Sequence, residues 1–150
     1  MLHRRFDWHE RIKAIEREYW SVREAVDRLS ADVAHDPNAL GQGRSPRDLR
    51  SAGENLEGTY LVRMFAEFET GIRSFWRTIK PRRTQTEILL DQVGDKCKVP
   101  ADVIGLIHST RKYRNSLLHE REDGVEAVTI SSARRCLQHY LSRLPDEWGH

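Results

Sequence analysis

A chain of 150 residues has the length of one domain and can bury roughly 68–70% of its unfolded surface in a core. Its composition, 38% apolar and 32% charged, belongs to a globular protein, and its net charge of +2 is too small to establish a polyanion partner. No stretch approaches the ~20 apolar residues that a membrane span requires, and the segment from Met1 to Arg11 has no hydrophobic signal-peptide core. Cys97 and Cys136 form no close pair, so a cytoplasmic protein with reduced thiols is expected, with no membrane partner.

The first long segment steps by four and three residues through Trp8, Ile12, Ile15, Tyr19, Val22, Val26, Leu29 and Val33. Charged residues fill the positions between. This pattern predicts an amphipathic helix with a narrow apolar seam, ending near His35-Asp36-Pro37. Residues 36–53 are punctuated by proline and glycine and read as a connection. Within it Ser45-Pro46-Arg47-Asp48 can start a short helix, and Ser51-Ala52-Gly53-Glu54 can start the next. Arg44, Arg47 and Arg50 sit here with few acids and are candidate RNA contacts.

A second long helix is expected from about Glu54 to Ile79. Its apolar face is broad, with Leu56, Tyr60, Leu61, Met64, Phe65, Phe68, Ile72, Phe75, Trp76 and Ile79. Such width predicts several neighbours and a central place. Glu67 and Glu69 flank Phe68, so one of them belongs at the margin of that face. Pro81 stops the helix. Arg82 and Arg83 follow in a basic run that complements the helix C-terminus and can also contact RNA. Thr84-Gln85-Thr86-Glu87 reads as a capping box for a shorter helix to about Cys97. A further helix is expected from Ala101 to about Glu120, with Gly124 marking its end. The last covers roughly Ile130 to Leu144. No run alternates at period two. The expectation is an all-α, single-domain bundle of about five main helices over residues 1–150, with two long helices first.

Polar chemistry enters the apolar pattern at one place, Arg111-Lys112-Tyr113-Arg114-Asn115-Ser116-Leu117-Leu118-His119-Glu120. Val103, Ile107, Arg114 and Leu117 follow heptad-like spacing, so Arg114 stands where an apolar residue is expected. A guanidinium cannot shed its charge on burial and must be paired or line a wet cleft. Glu67 or Glu69 is the expected partner. Arg114 and His119 lie ~140° apart around a helix, whereas Arg111, Asn115 and His119 fall on one polar face. Together they offer a fixed cation, an amide and an imidazole that titrates near neutral pH.

Arg114-Asn115 followed by His119, late in an all-helical chain with two long helices first, resembles the Arg-x(4–6)-His motif of the HEPN superfamily (higher eukaryotes and prokaryotes nucleotide-binding domain). The stretch Phe68-Glu69-Thr70-Gly71-Ile72-Arg73 resembles the second long helix of several of its groups. The resemblance implies a metal-independent endoribonuclease with no cofactor, often a toxin or antiviral effector, with its cleft formed at a homodimer interface. In that scheme His119 is general base or acid, Arg114 stabilises charge on the phosphoryl group, and Asn115 orients the histidine or bonds the phosphate. Glu69, Glu67 and Arg111 support them. RNA is the implied partner, with an antitoxin or a nucleotidyltransferase as a possible protein partner. The alternative is a non-catalytic helical module that binds RNA, a nucleotide or a protein. A third reading is a purely structural helical dimer.

Overall fold

Ser45 caps a helix by accepting from the Asp48 amide at 3.1 Å, with Pro46 in the first turn, and that helix then runs unbroken to Arg77. It is α2, Pro46–Arg77, in a computed structural model that describes residues 1–119 and 124–149. The expected break at Ser51–Glu54 is therefore absent, and the long helix begins eight residues earlier than expected. Gly53 explains this. It is a contact point, where a Cβ would lie 3.2 Å from Arg23 Nη2 and 3.4 Å from Val26, and its carbonyl accepts from Arg23 Nη1 at 2.8 Å. A glycine that lets two helices approach reads in sequence like a glycine that ends one.

Before α2 come the two-residue strand β1, His3–Arg4, then α1, Arg5–His35, and a short 3-10 turn at Pro37–Ala39. After it follow α3, Thr86–Lys96, α4, Ala101–Leu118, α5, Ile130–Leu141, and β2, Glu147–Trp148. Among the described residues five α-helices thus form an all-α bundle, as the periodicities predict. α2 packs against all four other helices. Its buried face runs from Leu61 to Trp76, and the buried part of α1 runs only from Trp8 to Tyr19. Val22, Val26, Leu29 and Val33 are half-buried, so the distal parts of α1 and α2 form a thinner arm.

Several ends differ from expectation. α3 has Gln85 at its N-cap and no side-chain cap, one residue beyond the Thr84 position of the expected capping box. α5 stops at Leu141, and Leu144 is buried from the turn beyond. α4 stops at Leu118; Glu120 lies outside the described residues. β1 and β2 pair antiparallel, His3 with Trp148 and Arg4 with Glu147, a ribbon too short to leave a period-two signal. Arg5 ties it down by donating to the carbonyls of Ser142 at 2.9 Å and Leu144 at 2.6 Å. No helix among the described residues is long and apolar enough to cross a membrane.

In the core Phe68 meets Tyr140 edge to face at 5.4 Å, and the Tyr140 hydroxyl donates to the Leu90 carbonyl at 2.6 Å. Gly71 brings α2 onto Trp8, where a Cβ would meet the indole at 3.0 and 3.1 Å. Gly94 faces the flexible tip of Ile104 instead, and an added Cβ would overlap its Cδ1. Gly71→Ala must displace a rigid ring in the core and is expected to cost about 1–3 kcal/mol. Gly94→Ala, relieved by a rotation of Ile104, should cost less. Urea midpoints of the two variants check the order; a larger loss for Gly94→Ala would contradict this packing.

Candidate active site

α4 lies across α2 with the chains opposed: Leu117 packs on Gly58, while Arg114 reaches Phe65 and Glu69. Val103, Ile107 and Thr110 are buried in the same register, so Arg114 is drawn under the surface as its position in the repeat predicts. Its guanidinium sits 4.6 Å over the Phe65 ring, and Nη2 lies 3.5 Å from Glu69 Oε2. Its Nε is buried with no acceptor among the described residues. Burial pulls the Arg114 pKa down and the like charge of Arg111 adds to this, while Glu69 pulls it up; the net shift is downward.

Glu69 is held from three sides. Its Oε1 accepts from Arg73 Nε at 3.0 Å and Nη2 at 2.8 Å, and from the Thr86 hydroxyl at 2.7 Å. Arg73 also donates to the Thr84 carbonyl at 2.7 Å and to Thr86 Oγ1 at 3.0 Å. Thr84 and Thr86 thus serve this network rather than the expected capping box. Glu67 does not join it; it faces Arg11 at 3.3 Å on the other side of the helix. Burial alone would raise the Glu69 pKa, but the Thr86 and Arg73 hydrogen bonds and the charges of Arg73 and Arg114 hold it below the ordinary 4.5.

A depressed carboxylate pKa stabilises the fold above the unfolded value and loses that contribution as pH falls through the folded one. Acidification below about pH 4.5 is therefore expected to lower stability through Glu69. Urea midpoints at pH 7, 5 and 3.5 should show a smaller acid loss for Glu69→Gln than for the wild type. Equal losses would mean that this carboxylate is not held as described.

Arg111, Asn115 and His119 turn to a different side. With Lys112, Glu87 and Val125 they line a cleft of about 440 Å³. Arg111 is fixed there: its Nη2 lies 3.5 Å from Glu87, and its Nε donates to His108 Nδ1 at 3.4 Å. His108 Nε2 meets Asp91 at 2.6 Å, so the pairing calls for the tautomer with its proton on Nε2. His119 is exposed at the C-cap of α4, and its backbone amide bonds the Asn115 carbonyl at 3.1 Å. It also borders a second cleft of about 470 Å³, where Glu54 and Glu57 bring negative charge. An anionic ligand would choose the side of Arg111 and Lys112.

Within one chain, then, the structure brings together Arg111, Asn115 and His119, and separately Arg114 and Glu69. It does not bring Arg114 to His119. The remaining arginines divide between the ends of α2. Arg44, Arg47 and Arg50 lie at its start, and Arg82 and Arg83 lie just beyond its end. From Arg47 to Arg77 the helix rises about 45 Å, so these are two surfaces. Arg73, Thr86, Phe65 and the Asp91–His108 pair went unforeseen. Only the four-residue spacing of Glu69 and Arg73 carried a signal of them. Neither cysteine is a ready nucleophile, since burial pushes Cys136 up to about 11 and raises Cys97. Comparison with protein families, with curated proteins and with solved structures finds no match to this chain.

Proposed function

We propose that the chain is a metal-independent endoribonuclease of HEPN type, working in the cytoplasm as a homodimer and serving as a toxin or antiviral effector. The observation that carries this reading is the alignment of Arg111, Asn115 and His119 along one cleft, beside an Arg114 that stacks on Phe65 and whose one ion pair among the described residues is the 3.5 Å contact to Glu69. A guanidinium with free N–H groups matches the oxygens of a phosphodiester, and an imidazole moves protons near neutral pH. His119 takes the proton of a ribose 2′-hydroxyl, or returns one to the leaving 5′-oxygen. The 2′-oxygen attacks phosphorus, the bond to the 5′-oxygen breaks, and a 2′,3′-cyclic phosphate forms. Arg114 balances the charge that gathers on the phosphoryl oxygens. The nucleophile belongs to the RNA, so no metal enters the scheme.

Arg114 and His119 face different sides of α4, and a second copy packed along this helix supplies the convergence that one chain lacks. Leu106 and Leu118 are exposed on α4, apolar surface that such a contact would cover. The resemblance of the Arg114-Asn115 to His119 motif to the HEPN motif supports the same arrangement. The test is cleavage of a mixed-sequence labelled RNA in EDTA by protein whose mass in solution is that of a dimer. Cutting is expected. Stable RNA binding without cutting would favour the non-catalytic module. A dimer with neither activity would leave a structural role.

A further inference from the structure

The turn from α2 to α3 gathers arginines without acids. Arg73, Arg77, Arg82 and Arg83 line one pocket of about 260 Å³, floored by Trp76 and Pro81. No carboxylate is among the described residues that line it. Arg73 is fixed by its bonds to Glu69, Thr86 and the Thr84 carbonyl. Arg77, Arg82 and Arg83 make no side-chain hydrogen bond or ion pair with any described residue. Trp76 is buried to 6% exposure, and its indole Nε1–H has no acceptor among the described residues.

Arginines gathered without acids raise the local positive potential, and the C-terminus of α2 beside them carries only a partial negative charge. A dianion is drawn to that potential. Guanidinium forks fit phosphate oxygens two at a time, which suits a phosphoryl group better than a single carboxylate. The space is smaller than the about 300–1,000 Å³ of sites that engulf drug-sized ligands, so it takes a small, highly charged group. We infer that this pocket recognises a terminal phosphoryl or diphosphoryl group. Arg77, Arg82 and Arg83 contact its oxygens, and Arg73 sets the wall. The same Arg73 holds Glu69, which holds Arg114, so an occupied pocket is contiguous with the candidate active site. The inference shares Arg82 and Arg83 with the RNA contacts proposed from sequence, but it does not need cleavage.

Calorimetric titration of the full chain with pyrophosphate tests it. One site per chain is expected, at least tenfold weaker in an Arg77→Ala/Arg83→Ala variant and unchanged in an Arg17→Ala/Arg143→Ala variant. Both pairs are exposed, so the variants should fold, and melting curves check this. Binding should weaken steeply as salt rises. Two oligoribonucleotides of one sequence, with a 5′-phosphate or a 5′-hydroxyl, separate the sources. A preference for the phosphate that pyrophosphate competes away assigns the site to an RNA end. Pyrophosphate binding without that preference assigns it to a free anion. No pyrophosphate binding, or equal binding by wild type and the Arg77→Ala/Arg83→Ala variant, overturns the inference. Pyrophosphate is not RNA, so such a failure leaves the ribonuclease reading standing.

Discussion

Replacing Glu69 with alanine is expected to lower the unfolding free energy by about 3 kcal/mol, or roughly 6–12 °C in melting temperature for a chain of this size. The carboxylate joins three helices' worth of donors: Arg73 on its own helix, Thr86 on α3 and Arg114 on α4. Its side chain is 19% exposed, and those of Arg73 and Arg114 are 23% and 17% exposed, so water screens the network little. Removing the acceptor strands two partly buried guanidiniums, which is costlier than the pair is worth in isolation. The double variant Glu69→Ala with Arg73→Met should recover part of the loss, because one stranded cation goes with its partner. Chemical denaturation of the two variants checks both statements. A loss under 0.5 kcal/mol, the usual size for a surface substitution, would contradict the arrangement.

The second large effect concerns turnover. His119→Ala should reduce RNA cleavage by about 10²–10⁴, the usual contribution of a positioned acid or base. It should leave the melting temperature unchanged, because the residue is exposed and its amide keeps the Asn115 carbonyl whatever the side chain. RNA affinity should also hold, since Arg111, Lys112 and Asn115 remain in the cleft. Initial rates on a labelled RNA, set beside melting curves and binding isotherms, separate chemistry from folding. A parallel fall in rate and stability would mean that His119 serves as a helix end.

Much of this was legible in the residues. The bundle followed from helical periodicity in five segments, and Arg114 announced itself by standing in an apolar register. The angular separation of Arg114 from His119 also followed from helix geometry, and the structure keeps them on different sides. Two matters were not legible. Glu67 and Glu69 are nearly opposite on the helix, and only the packing of α4 against Phe65 decides that Glu69 faces inward. Thr86 reaches Glu69 across the turn after Pro81, a contact that no local spacing encodes. Gly53 misled because helix contact and helix end both favour glycine, and only the position of Arg23 tells them apart.

The most direct measurement uses a DNA oligonucleotide with a single embedded ribonucleotide, incubated in EDTA with the wild type and with His119→Ala. A ribonuclease that borrows its nucleophile from the substrate cuts only at the ribose, leaves a 2′,3′-cyclic phosphate and a 5′-hydroxyl, and fails without His119. Cutting at deoxyribonucleotides, 5′-phosphate products, or no cutting of either this substrate or RNA by a folded dimer would contradict the proposed chemistry.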